Sequence, residues 1–260
     1  MFDPIVPDWP GLPANVGALA TTRGGGFSTG AYGDGQGGGG LNLGLHVGDD
    51  PQVVARNRAL LAQGLPGTPA YTSQVHGIAV VDAARVQPGQ PALLADASIA
   101  TVPGVVCAMM TADCLPVLFA DRAGKVVGAA HAGWRGLAAG VLGETVAAMR
   151  AAGATDITAW LGPAIGPEQF EVGADVLDSF AGSAASPTER AAIVAAFRPY
   201  PGRDGKYLAD MFALARLILA RDGISQVAGG SHCTVTDARR FYSYRRDGVT
   251  GRQASLIWLK

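Results

Sequence analysis

Two imidazoles and one thiol stand where side chains from separate segments can converge. His76 follows Ser73-Gln74-Val75 and precedes Gly77. His131 ends the apolar run Val126–Ala130 and opens His131-Ala132-Gly133-Trp134-Arg135-Gly136. Between them lies Cys114, in Thr111-Ala112-Asp113-Cys114-Leu115-Pro116. Three ligands of this kind leave a fourth position for water, the pattern of catalytic rather than structural zinc. Zinc brings the pKa of such a water towards neutrality. The spacing has no CxxC or HxxxH signature, so packed histidines and an inert buried thiol fit it as well.

Three further stretches carry polar chemistry. Arg135 beside the opening of a helix makes an anion site, or else a surface arginine stacked on Trp134. Arg23 ends Thr21-Thr22-Arg23 before a Gly-rich segment whose bare backbone can approach a ligand closely. Arg245 lies in Phe241-Tyr242-Ser243-Tyr244-Arg245-Arg246-Asp247-Gly248, which reads as a surface hairpin or as a base-stacking element. The run Gly24-Gly25-Gly26 lacks the spacing of a phosphate loop or dinucleotide fingerprint.

The elements that must position these residues are strands and helices in loose alternation. Ile78–Asp82, Val105–Met110, Leu115–Ala120, Lys125–Ala130 and Asp156–Leu161 read as strands, with a last one near Ser255–Leu259. Asp49-Asp50-Pro51 opens a helix that ends before Gly64. Gly136–Arg150 reads as one helix, Ser186-Pro187-Thr188-Glu189 caps another running to about Phe197, and Leu208–Asp222 is a third. Residues 24–40 read as a flexible loop. The result is a mixed α/β chain of one domain, sheet at the centre and helices outside.

Composition narrows the function. Lys+Arg 20 against Asp+Glu 21 leaves no basic surface for nucleic acid. The apolar stretch 102–120 is broken by Pro103, Asp113 and Pro116, which argues for buried strands over a membrane span. Three cysteines, an odd and sparse set, suit a reducing cytoplasmic compartment, with Cys107 and Cys233 as packing thiols. Residues 1–10 lack the features of a signal peptide.

Several motifs, in order across nearly the whole chain, resemble the YfiH-type laccase-domain family. That family is also called multicopper polyphenol oxidase-like, peptidoglycan editing factor or purine nucleoside phosphorylase. The matching stretches are Thr21–Ser28, Leu41–Asp50, Ser73–Gly77, Thr111–Phe119, His131–Leu137, Gly162–Pro167 and Phe241–Leu259. The resemblance implies an α+β fold, two mixed β-sheets packed as a sandwich with flanking helices, in a single catalytic domain over residues 1–260. It implies that His76, Cys114 and His131 hold zinc, with copper as the alternative metal. The implied activity is phosphorolysis of adenosine, inosine, guanosine and methylthioadenosine, with adenosine deamination beside it. Purine nucleosides and phosphate are then the partners, Arg23, Arg135 or Arg245 holds phosphate, and Cys114 and Asp113 serve catalysis, with either a metal-bound water or Asp113 moving protons. Copper-dependent phenol oxidation and editing of cell-wall precursors are the competing readings. A four-copper oxidase asks for around ten imidazoles; this chain has four histidines, the others being His46 and His232. Met109 and Met110 lie near Cys114 in sequence and read as core packing.

Overall fold

The run Val106–Thr111 divides its side chains between two cores. Val106, Ala108 and Met110 join one cluster, Cys107 and Met109 another. A strand that is apolar on both faces must be covered on both, and that requirement organises the molecule. The computed structural model describes residues 3–87 and 89–260. The first two residues of the stretch read as lacking signal-peptide character lie outside the described residues.

Along the chain, β1 (Val16–Ala20) and β2 (Gly24–Ser28) precede α1 (Pro51–Ala62). Then come β3 (Pro69–Tyr71), β4 (Val80–Asp82), β5 (Ala97–Ala100), β6 (Val106–Thr111), β7 (Leu115–Asp121) and β8 (Val127–Ala132). Helices α2 (Trp134–Ala139) and α3 (Val141–Ala151), β9 (Ile157–Leu161), β10 (Glu171–Gly173), α4 (Ala174–Gly182) and α5 (Pro187–Ala195) follow. The last elements are β11 (Phe197–Pro199), β12 (Lys206–Ala209), α6 (Met211–Arg221), β13 (Val227–Gly229), α7 (Tyr244–Asp247) and β14 (Gln253–Leu259).

Two mixed sheets form the sandwich. One has the order β1-β14-β6-β3, the other β13-β9-β7-β8-β5-β4, and β10-β12-β11 make a small antiparallel sheet apart. Cys107, Met109 and Ile257 of the first sheet meet Leu118, Val127, Ala129 and Trp160 of the second in one buried cluster. The outer face of the larger sheet packs through Leu115, Val117 and Phe119 on α2, α3 and α6. The outer face of the smaller sheet packs through Ala108 and Leu256 on Leu61 of α1 and on Leu41 and Leu43. The chain is thus an α+β sandwich with flanking helices, as the resemblance implied. Among the described residues, no helix is long and apolar enough to cross a membrane.

Three local expectations need correction. The single helix over 136–150 is two helices, because Gly140 takes φ +104 and closes α2 with a backbone N–H donated to Gly136 and Leu137 oxygens. Residues 24–40 are not simply a loop. They contain β2 and a short 3-10 turn, and buried Asn57 of α1 accepts from Phe27 N–H while donating to Ser28 Oγ and the carbonyls of Gly40 and Asn42. Several of its glycines are small because backbones touch there: a Cβ on Gly26 or Gly40 would strike main-chain atoms of Gly40 or Tyr32. Residues 241–248 are not a surface hairpin. Phe241 and Tyr242 are fully buried, and Ser243 caps α7 by accepting from Arg246 N–H.

Candidate metal centre and its cavity

His76, Cys114 and His131 come together at the ends of three segments. Their ligand atoms all lie within 4.8 Å of one another. Cys114 Sγ is 3.7 Å from His76 Nε2, and the two imidazole rings meet edge to face with centroids 4.8 Å apart. The cluster grades from exposed His76 through half-buried Cys114 to buried His131, so one side of it opens to solvent. The opening is a cavity of about 500 Å³ that His46, Gln74, Met110, Tyr244 and Arg252 also line.

Buried Asp96, just before β5, builds this cluster. Its Oδ1 accepts from His131 Nδ1 at 2.8 Å and from His76 N–H at 2.9 Å. Its Oδ2 accepts from the N–H groups of Val75 and Gly77. With Nδ1 engaged, His131 Nε2 is left for the cluster. The 75–77 turn is gathered around the carboxylate tightly enough that His76 adopts φ +61, a conformation L-residues rarely hold. Burial would push the Asp96 carboxyl up, but the hydrogen bonds from His131, Gly77 and Val75 outweigh it and hold it below its ordinary range. Burial likewise opposes charge on Cys114 and His131. Hydrogen bonds from His131 and His76 nevertheless bring the thiol down, and those to Asp96 and Cys114 bring the imidazole up. A thiol held as thiolate is ready for a metal.

Two glycines of the 131–136 stretch are explained by the same crowding. A Cβ at Gly133 would sit 2.6 Å from His76 Cδ2 and 3.1 Å from Cys114 Sγ, and one at Gly136 would sit 2.9 Å from Gly77 O. Only residues without a side chain let α2 begin so close to the cluster.

The family described as multi-copper polyphenol oxidoreductase laccase matches residues 17–260. The chain belongs to that family. It is similar to proteins named purine nucleoside phosphorylase from Pseudomonas aeruginosa, 49% identical over 98% of each chain, and from Escherichia coli, 49% identical over 98% of each. Among solved structures, a Neisseria meningitidis protein superposes with a TM-score of 0.86 at 52% identity, over 99% of each chain.

The remaining expected site residues of this laccase-family chain lie elsewhere. Arg23 is buried, with its guanidinium donating to Gly33 O and Ala238 O. Arg135 is exposed and stacks on Trp134 with 4.2 Å to the ring centroid. Arg245 donates to Glu171 O and lies over Phe170. None of the three lines the cavity. Asp113 adjoins Cys114 in sequence, but its Oδ1 accepts from Thr234 Oγ1 and its Oδ2 from Arg245 N–H, each at 2.6 Å. Those bonds tie the 113 turn, at φ +92, to α7. The arginine that does line the cavity is Arg252, within a stretch matched to the family motif and not singled out from it. Asp96 has no sequence signal at all, since a lone aspartate among small residues looks like any strand edge.

The other thiols and the methionines also have defined places. Cys107 is fully buried between the sheets, and burial pushes its thiol up to about 12. Cys233 is half-buried and departs from a plain packing thiol, because Gly166 N–H donates to its sulfur at 3.2 Å. Met109 faces the sandwich core. Met110 packs on the other side at the cavity edge, its sulfur 3.7 Å from an Arg58 nitrogen.

Proposed function

We propose that the protein is a zinc-dependent purine nucleoside phosphorylase acting on adenosine, inosine, guanosine and methylthioadenosine, with adenosine deamination as a second activity. The carrying observation is the three-donor His76–Cys114–His131 cluster at the base of an open cavity. The names of the Pseudomonas and Escherichia relatives support the reading. The donor set fits zinc. Tetrahedral zinc with its usual bond lengths separates a sulfur and a nitrogen ligand by about 3.6 Å, against 3.7 Å here. His76, Cys114 and His131 would hold the ion, and when bound it supplies Lewis acidity beside the reacting nucleoside.

The chain's own residues divide the remaining work. In phosphorolysis a phosphate oxygen bonds to the ribose anomeric carbon as the bond to the purine nitrogen breaks, and the base leaves with a proton. Asp96 keeps His131 in one tautomer and orientation throughout. Tyr244, exposed at the cavity wall, offers a ring face for a purine. Gln74 is locked by two hydrogen bonds to the backbone of Met110 and forms a fixed polar wall. Asp113 has its carboxylate committed on both oxygens and acts by positioning α7. A four-copper oxidase is disfavoured on ligand count. His232 belongs to a separate cluster with Arg240 and Phe241, which leaves one imidazole, His46, beside the three-donor set.

The test is to purify the protein without added metal, quantify zinc and copper, and incubate it with inosine with and without phosphate. About one zinc per chain and release of hypoxanthine that requires phosphate are expected. Cys114→Ala should lose both metal and turnover. Stoichiometric copper with phenol oxidation, or a Cys114→Ala protein with full metal and full turnover, refutes the assignment.

A further inference from the structure

The cavity over the metal cluster is not closed at its far side. It shares His46, Thr72, Ser73 and Met110 with a larger chamber of about 920 Å³. Arg252 lines the inner chamber, Arg58 the outer one, and His46 both. No aspartate or glutamate lines either chamber among the described residues.

Both guanidiniums are held by backbone rather than by acids. Arg58 donates from Nε to Leu43 O at 2.9 Å and lies 3.9 Å over the Tyr71 ring. Arg252 donates from Nη1 to the carbonyls of Thr250 and Gly251. Its own N–H reaches Asn42 Oδ1, and its carbonyl accepts from Leu43 N–H. The segment 42–46 therefore fixes both arginines and carries His46 as well. Among the described residues neither arginine has a carboxylate within salt-bridge distance. Nη1 of Arg58, and Nε and Nη2 of Arg252, donate to no protein acceptor there. Burial lowers the pKa of both guanidiniums. Burial, then Arg252, then Arg58 lowers that of His46. Cys114 and Asp113 attract the Arg252 charge without contacting the guanidinium, so like charges gathered in this recess stay costly unless an anion contacts them.

We infer that the junction of the two chambers, formed by Arg58, His46 and Arg252, is a binding site for a tetrahedral phosphate oxyanion. Fixed guanidinium forks with unused donors suit such an anion, and a cation-lined cleft concentrates it. The inference deepens the phosphorolysis reading by locating its phosphate away from Arg23, Arg135 and Arg245. The anion is inorganic phosphate or the phosphoryl group of a nucleotide.

Titration calorimetry on the zinc-loaded protein, with inorganic phosphate in one arm and inosine 5′-monophosphate in the other, tests the site directly. Arg252→Ala and Arg58→Ala should each weaken binding by about tenfold to a hundredfold, the cost of a lost charge-assisted hydrogen bond. Arg135→Ala should leave it unchanged. Arg252→Lys, which keeps charge without the fork, should fall between. Melting curves and zinc content identify any variant that fails to fold, and Arg252→Lys together with His46→Gln then carries the comparison. Loss in the inorganic phosphate arm assigns the free anion, and loss confined to the nucleotide arm assigns the phosphoryl group; either upholds the site. Absence of binding in both arms, or unchanged binding in the folded variants, overturns it. Phosphate binding that the variants lose, in a protein that never cleaves inosine, keeps the site and removes the phosphorolysis reading. Inosine cleavage with an unchanged KM for phosphate in both variants does the reverse.

Discussion

Two buried aspartates frame the cavity, and they do different work. Asp96 gathers three backbone N–H groups of the 75–77 turn and the ring N–H of His131. Asp113 gathers Thr234 and the first turn of α7. Both use every carboxylate oxygen, and each turn contains a non-glycine residue at positive φ. The difference is that Asp96 touches a metal-ligating candidate directly, whereas Asp113 touches only the frame of the opposite wall. Adjacency in sequence misleads here. Asp113 sits next to Cys114 but bonds to Thr234 and Arg245, while Asp96, far from every candidate ligand in sequence, is bonded to one.

Removing each carboxylate should separate the two roles, and the larger effect belongs to Asp96. Asp96→Ala leaves buried His131 and three N–H groups without their acceptor. It should cost about 3–5 kcal/mol, as for breaking a buried pair, and weaken metal binding by about ten- to a hundredfold. Chemical denaturation of the chelated protein, alongside a zinc titration, checks both. A variant as stable as the wild type with unchanged metal affinity breaks the comparison.

Asp113→Ala should be milder, at about 1–3 kcal/mol for one fully buried donor, Thr234 Oγ1, left unpaired, with zinc stoichiometry unchanged. Metal analysis of the folded variant decides it. Loss of zinc there would place Asp113 on the ligand side after all.

Acid should act on Asp96 in a defined direction. Its unfolded carboxyl titrates near the ordinary 3.8, and the folded one lower. Between the two values the unfolded chain binds the proton and the folded chain does not. The stabilisation is therefore complete above about the unfolded value and is lost as pH falls through the folded one. Acid unfolding of the chelated protein should be less steep in Asp96→Asn than in the wild type, and an identical slope would count against the assigned hydrogen bonds.

The smallest effects belong to the other thiols. Cys107→Ala should cost about 1 kcal/mol through a small core void, and both Cys107→Ala and Cys233→Ala should retain zinc. Loss of metal from either would widen the site beyond the cluster described.

The chain's own pattern determined its layers. Apolar runs such as Leu115–Ala120 and Asp156–Leu161, and the caps at Asp50 and Ser186, sit close to the observed elements because their β-branched and apolar composition and their capping chemistry are local. The three candidate ligands were legible as residue types, and family motifs, not their spacing, selected them from the alternatives. Short strands such as β3 and β10, the break at Gly140 and the ordered Gly-rich segment were not legible, since each depends on partners distant in sequence. The same holds for the second tier of the site. Asp96, Arg58 and Arg252 acquire meaning only when β5, α1 and the start of β14 are brought together around the 42–46 and 75–77 turns. A hydrogen bond or an unpaired charge is a relation between positions in space, and the tertiary structure alone decides which positions those are.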